Sequence, residues 1–77
     1  MPKYTPTDQE LVQVNNTFVY HPVKEGQQER YVALREKARE LAILICESCP
    51  ASREKSLALT NLQQTVMFAN AAIAIHE

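Results

Sequence analysis

The stretch Cys49-Pro50-Ala51-Ser52-Arg53-Glu54-Lys55-Ser56 decides the fold. Pro50 has no backbone N–H, and its ring keeps the residue before it out of helical geometry, so a helix arriving from upstream ends here. Ser52 belongs to the residue types that cap helix N-termini with a side-chain oxygen, so a second helix starts directly after it. Only Cys49, Pro50 and Ala51 separate the two helices. A connection that short permits only an antiparallel return.

Both sides of the turn carry helical periodicity. Upstream, Tyr31, Leu34, Ala38, Leu41 and Ile45 recur at intervals of three and four, the apolar seam of a helix from Gln27 to Ser48. Downstream, Leu59, Leu62, Val66, Ala69 and Ile73 repeat that seam in a helix from Arg53 to about Ile75. At 1.5 Å per residue each helix is about 33 Å long. The fold class is therefore all-α, with an antiparallel two-helix hairpin over residues 27–77 and an N-terminal arm over residues 1–26. The arm holds the only glycine, Gly26, and three of the four prolines. A short helical turn is expected around Glu10 to Val14. Residues 17–22, Thr-Phe-Val-Tyr-His-Pro, are β-branched and aromatic, but Pro22 ends the run and no second segment can pair with it. An extended strap lying on the helices is expected there.

A chain of 77 residues buries only about 60% of its unfolded surface, so its stability alone is marginal. A bridge between Cys46 and Cys49 would close too short a loop to help. The downstream helix has no charged residue between Lys55 and His76, and Met67, Phe68, Ala72 and Ile75 lie off its hairpin seam. One side packs on the upstream helix and the other must meet another subunit, with Ala69, Ala71, Ala72 and Ala74 allowing close approach. The expected state is a homo-oligomer.

Composition excludes several classes. The net charge of -1 and pI of about 6.1 provide no field to attract DNA, RNA or an anionic membrane. Met1 to Glu10 is polar with two prolines and lacks a signal-peptide core, which makes a cytoplasmic location the expectation. The longest aliphatic run, Leu41 to Cys46, falls far short of the roughly 20 residues that span a bilayer.

Cys46-x-x-Cys49 has the spacing of half a zinc site or a redox pair. The two histidines, His21 and His76, fall at the opposite pole of the hairpin, about 30 Å away. Two partly buried helix-end thiols are expected instead, with no metal and no cofactor. Glu29, Glu36, Glu40 and Glu47 read as a solvated face, with Arg30, Arg35, Lys37 and Arg39 as counter-charges, and no catalytic set forms. The tip at Ser52 and Arg53 places unpaired amides, a hydroxyl and cations at a helix start, which suits either an ordinary cap or a phosphate. Tyr20 and His21 suit either packing on the hairpin or stacking against a base. Two functions remain open: an oligomer that captures a phosphorylated ligand, or an oligomerisation and adaptor module that binds a protein through the uncharged face.

Longer stretches sharpen the choice. Tyr20-His21-Pro22, Glu29-Arg30-Tyr31-x-x-Leu34-Arg35, the run from Cys49 to Leu62 containing Ser-Arg-Glu-Lys-Ser-Leu-Ala-Leu-Thr, and Val66-Met67-Phe68-Ala69-Asn70-Ala71-Ala72-Ile73-Ala74 form one pattern. Over residues 20–77 it resembles the helical-hairpin sponges that bacteriophages use against nucleotide-signalling immunity, the anti-CBASS and anti-Thoeris proteins. Phe68 stands where that pattern suggests a tryptophan. The resemblance implies a homohexamer without catalysis, whose inter-subunit pockets sequester cyclic di- or trinucleotides or cyclic ADP-ribose isomers in the infected bacterial cell. On that reading Arg53 grips phosphate and Ser52 adds a hydroxyl donor. Tyr20 and His21 would contact bases, with Lys24 and Arg30 as further phosphate partners.

Overall fold

The computed structural model describes residues 3–77. Three helices follow one another: α1 over Asp8–Thr17, α2 over Gln27–Ser48 and α3 over Arg53–His76. No strand forms among the described residues. The hairpin is the expected one. Cys49 takes extended geometry at φ -119 and ψ 136, as a residue before proline must, and its N–H still reaches Ile45 O at 3.0 Å. Ser52 is the N-cap of α3, its Oγ accepting from Lys55 N at 3.1 Å.

The start of α2 depends on Gly26, whose φ of 82 lies in the left-handed region that a side chain disfavours. Nothing stands near its missing Cβ, so the requirement is conformational and not steric.

The arm is more helical than expected. Instead of a short turn at Glu10 to Val14, α1 runs ten residues, because Thr7 and Glu10 form a reciprocal capping box. Thr7 Oγ1 accepts from Glu10 N at 3.1 Å, and Glu10 Oε1 accepts from Thr7 N at 2.9 Å. Asp8 and Glu10 also complement the helix dipole in the first turn. The Thr-x-x-Glu spacing is a sequence signal for that cap. The strap after α1 is irregular, as its proline requires, but it does not lie flat on the helices. Tyr20 is 84% exposed, and Phe18 is equally open.

The seam between α2 and α3 is half-buried on the α3 side at Leu59, Leu62, Val66, Ala69 and Ile73, as the periodicity predicts. On α2 it passes through Tyr31, Ala38, Ala42 and Ile45. Leu41, expected in the seam, is 46% exposed, and Leu34 is also on the surface. Ala42, one position on, takes the inward place, a step that a spacing of three or four allows equally. Leu34, Leu41 and Leu44 thus make a second apolar stripe along the flank of α2.

The chain is a slab of 49 × 38 × 14 Å, one helix thick. Its accessible surface is 6597 Å², against about 4,700 Å² for an average folded chain of this mass. No apolar side chain among the described residues is fully buried. Met67 at 61% and Phe68 at 74% exposure stand on the outer side of α3. No helix among the described residues is long and apolar enough to cross a membrane.

Candidate ligand-binding site

Polar side chains collect at the two ends of the hairpin. At the open pole, where α2 starts and α3 ends, four segments meet. Gln27 organises them and is 2% exposed, the one fully buried side chain among the described residues. Its Oε1 accepts from Lys24 N at 2.8 Å, while its Nε2 lies 3.5 Å from Ile73 O and 3.4 Å from Glu77 Oε1. A buried amide is stable there only because both of its ends have partners.

Arg30, one turn along α2, points its guanidinium fork at Glu77, with Nη1 2.5 Å from Oε2 and Nη2 2.6 Å from Oε1. Its Nε donates to Gly26 O at 3.2 Å, which orients the fork. Lys24 Nζ donates to the backbone carbonyl of Glu77. Hydrogen bonding to Arg30, then to Gln27, with the charges of Arg30 and Lys24 adding, lowers the Glu77 carboxyl to about 2. The same bond raises the Arg30 guanidinium. The arm joins this pole through Asn16, whose side-chain Nδ2 donates to Ile75 O at 3.3 Å and whose backbone carbonyl lies 2.7 Å from His21 Nε2.

The turn pole is simpler. Ser52 Oγ donates to Pro50 O at 3.1 Å while accepting from Lys55 N, so both of its hydrogen-bonding roles serve the cap. Lys55 Nζ donates to Cys46 O at 3.2 Å across the turn. Arg53 is exposed at the first turn of α3 and belongs to neither ion pair found among the described residues, Arg30–Glu77 and Lys37–Glu40. Cys46 and Cys49 are free thiols. They are exposed where partial burial was expected, because nothing packs over the outer side of the turn. No group of three or more His, Cys, Asp or Glu among the described residues could hold a metal.

The residues singled out in the sequence therefore divide. His21, Lys24 and Arg30 share the open pole, with Tyr20 exposed on the strap beside them. Ser52 and Arg53 sit at the other end, about 30 Å away along a 22-residue helix, so one chain cannot place both sets around one ligand. Gln27 and Glu77 belong to the open pole and were not singled out from the sequence. The one local signal is the Lys24 to Gln27 spacing, in which a glutamine returns to a backbone N–H three residues earlier.

Two flanks carry shallow apolar hollows. One, about 350 Å³, has Arg35 and Arg39 on its rim and Leu59, Val66 and Met67 among its lining residues. The other, about 370 Å³, runs beside Arg30 along Ala33, Leu34 and Ile73, with Lys37 at its edge.

Fold and site together define a helical-hairpin protein with cation-bearing poles and unpartnered apolar flanks. Residues 10–74 match the family profile described as the Acb2/Tad1 hairpin domain, and the chain belongs to that family, the anti-CBASS and anti-Thoeris sponges. The match begins ten residues upstream of the resemblance seen over residues 20–77 and takes in most of α1. Comparisons with curated proteins and with solved structures return no match. Members of this family sequester cyclic-nucleotide messengers.

Proposed function

We propose that this protein is a phage immune-evasion sponge. It binds cyclic di- or trinucleotides or cyclic ADP-ribose isomers in the cytosol of an infected bacterium and holds them uncleaved, so that host effectors are not switched on. The observation that carries this reading is the membership of a family of messenger-sequestering hairpins, over residues 10–74, by a chain with cationic groups at both poles.

The working unit is a homohexamer. The excess of surface over that of an average folded chain, close to 1,900 Å² by the mass scaling, is about twice the roughly 800 Å² that one partner gives to a standard interface, which suits a subunit with more than one neighbour. Phe68 and Met67 on α3 and the Leu34, Leu41 and Leu44 stripe on α2 are the surfaces for it. Packing of neighbouring hairpins in opposite directions brings the Ser52 and Arg53 pole of one subunit to the Tyr20, His21, Lys24 and Arg30 pole of another. Arg53 and Lys24 then face phosphates, and Tyr20 and His21 face bases.

The test is thermal melting in the presence of micromolar cyclic dinucleotides, cyclic trinucleotides and cyclic ADP-ribose isomers. A sponge gains stability as RT ln(1 + [L]/Kd), whereas an adaptor module that binds only protein gains none. Heat denaturation of the complex should return the ligand intact. Linear product would mean an enzyme.

A further inference from the structure

We infer that Lys24, Gln27 and Arg30 form a cradle for the phosphodiester group of the ligand, and that the Glu77 side chain occupies this cradle until the ligand displaces it. The inference deepens the reading of the open pole as phosphate-facing, and rests on it.

Gln27 and Arg30 each have a contact of their own apart from the Glu77 carboxylate, while the Lys24 ammonium rests on the Glu77 backbone carbonyl and not on its side chain. Gln27 is held by Lys24 N and Ile73 O, and Arg30 is oriented by Gly26 O. Removing Glu77 leaves these contacts in place. The occupant sits at the margin of the fold: Glu77 is the C-cap of α3, beyond the last helical turn, and its side chain is partly exposed. Its carboxylate takes both prongs of the Arg30 fork at 2.5 and 2.6 Å. A phosphodiester offers the same fork two non-bridging oxygens in one plane, with the charge of one carboxylate. Glu77 is thus an internal substitute for the ligand. The apolar hollow that begins at Arg30 and continues along Ala33, Leu34 and Ile73 gives the organic part of such a ligand a surface that a free inorganic ion cannot use. An anion that must first displace Glu77 binds with an affinity reduced by the fraction of cradles that are open.

The experiment is an NMR titration of the full chain with dimethyl phosphate, a phosphodiester that carries no base, with sodium acetate at equal ionic strength as the comparison. The wild-type protein, Glu77→Gln and Glu77→Asp are titrated in parallel, and circular dichroism checks that each remains helical. The Gln27 side-chain amide and the Arg30 Nε–H signals should move with dimethyl phosphate. Affinity should rise about five-fold in Glu77→Gln, where the charged competitor is gone, and stay near wild type in Glu77→Asp, which keeps it. Equal affinity in wild type and Glu77→Gln, unmoved signals, or shifts reproduced in full by acetate would each overturn the assignment. Because dimethyl phosphate is not a messenger, the outcome is separable from the sponge reading. A sponge that grips phosphate elsewhere passes the melting test and fails here. A cradle that binds dimethyl phosphate, in a protein that no cyclic nucleotide stabilises, passes here and fails there.

Discussion

The two poles of the hairpin solve the same problem, closing the ends of two helices, by opposite means. At the turn pole every contact is local: Cys49 with Ile45, Ser52 with Pro50 and Lys55, and Lys55 with Cys46. At the open pole local contacts, Lys24 with Gln27 and Arg30 with Gly26, are joined by others between distant segments, Gln27 with Ile73, Arg30 with Glu77 and Asn16 with Ile75. The local pole needs no partner to hold its shape and leaves Arg53 outside the ion pairs among the described residues. The distant pole pairs its Arg30 with Glu77. A cation that is free and one that is already paired contribute differently to a ligand, since the second must first give up its partner.

The largest expected effect is on the proposed assembly. Phe68→Asp places a charge on the uncharged face of α3, where an assembled interface would bury it unpaired at a penalty on the order of several kcal/mol per subunit. Light scattering should show the mass falling toward the 8.7 kDa of one chain. An unchanged mass would mean that this face does not meet another subunit.

Next in size is the free cation. Arg53→Ala removes every copy in a symmetric assembly, and charge-assisted bonds of roughly 1.5 to 3 kcal/mol each make the loss of ligand affinity at least about a hundredfold. Because Arg53 is exposed at a helix start, the melting temperature of the free protein should hardly change. Calorimetry and light scattering on one sample separate the outcomes. Wild-type affinity would reject the turn pole as a phosphate site, and a collapsed oligomer would make Arg53 structural.

A smaller effect tests how self-sufficient the turn pole is. Ser52→Ala removes the cap of α3 and should cost about 1 kcal/mol, a fall of roughly 4–8 °C in melting temperature for a domain of this size. No change would indicate that Lys55 and Pro50 hold the turn without the hydroxyl.

The smallest effect belongs to the open pole and depends on pH. The Glu77 carboxyl is lowered from 4.5 to about 2 in the folded chain, so its stabilising contribution is complete above about pH 4.5 and is lost as pH falls toward 2. The difference in melting temperature between wild type and Glu77→Gln should be constant from pH 7 to 5 and shrink toward zero below that range. A difference independent of pH would show that the carboxylate charge contributes nothing.

The hairpin itself was legible in the sequence because each of its determinants acts within a few residues. Pro50 ends α2 through its ring, Ser52 starts α3 through its hydroxyl, and the periodicity of Leu59, Leu62, Val66, Ala69 and Ile73 marks the face of α3 that packs inward. The capping box that lengthens α1 is equally local, with Thr7 and Glu10 three apart, but it went unread in the sequence, where only a short turn around Glu10 to Val14 was expected. Tertiary structure alone decided which of two adjacent positions, Leu41 or Ala42, enters the seam. Periodicity allows steps of three or four, and only the closeness of α3 chooses between them. It alone also brought Gln27 and Glu77 to Lys24 and Arg30, because residues about 50 positions apart meet only when an antiparallel return of two helices of nearly equal length carries the end of one back to the start of the other.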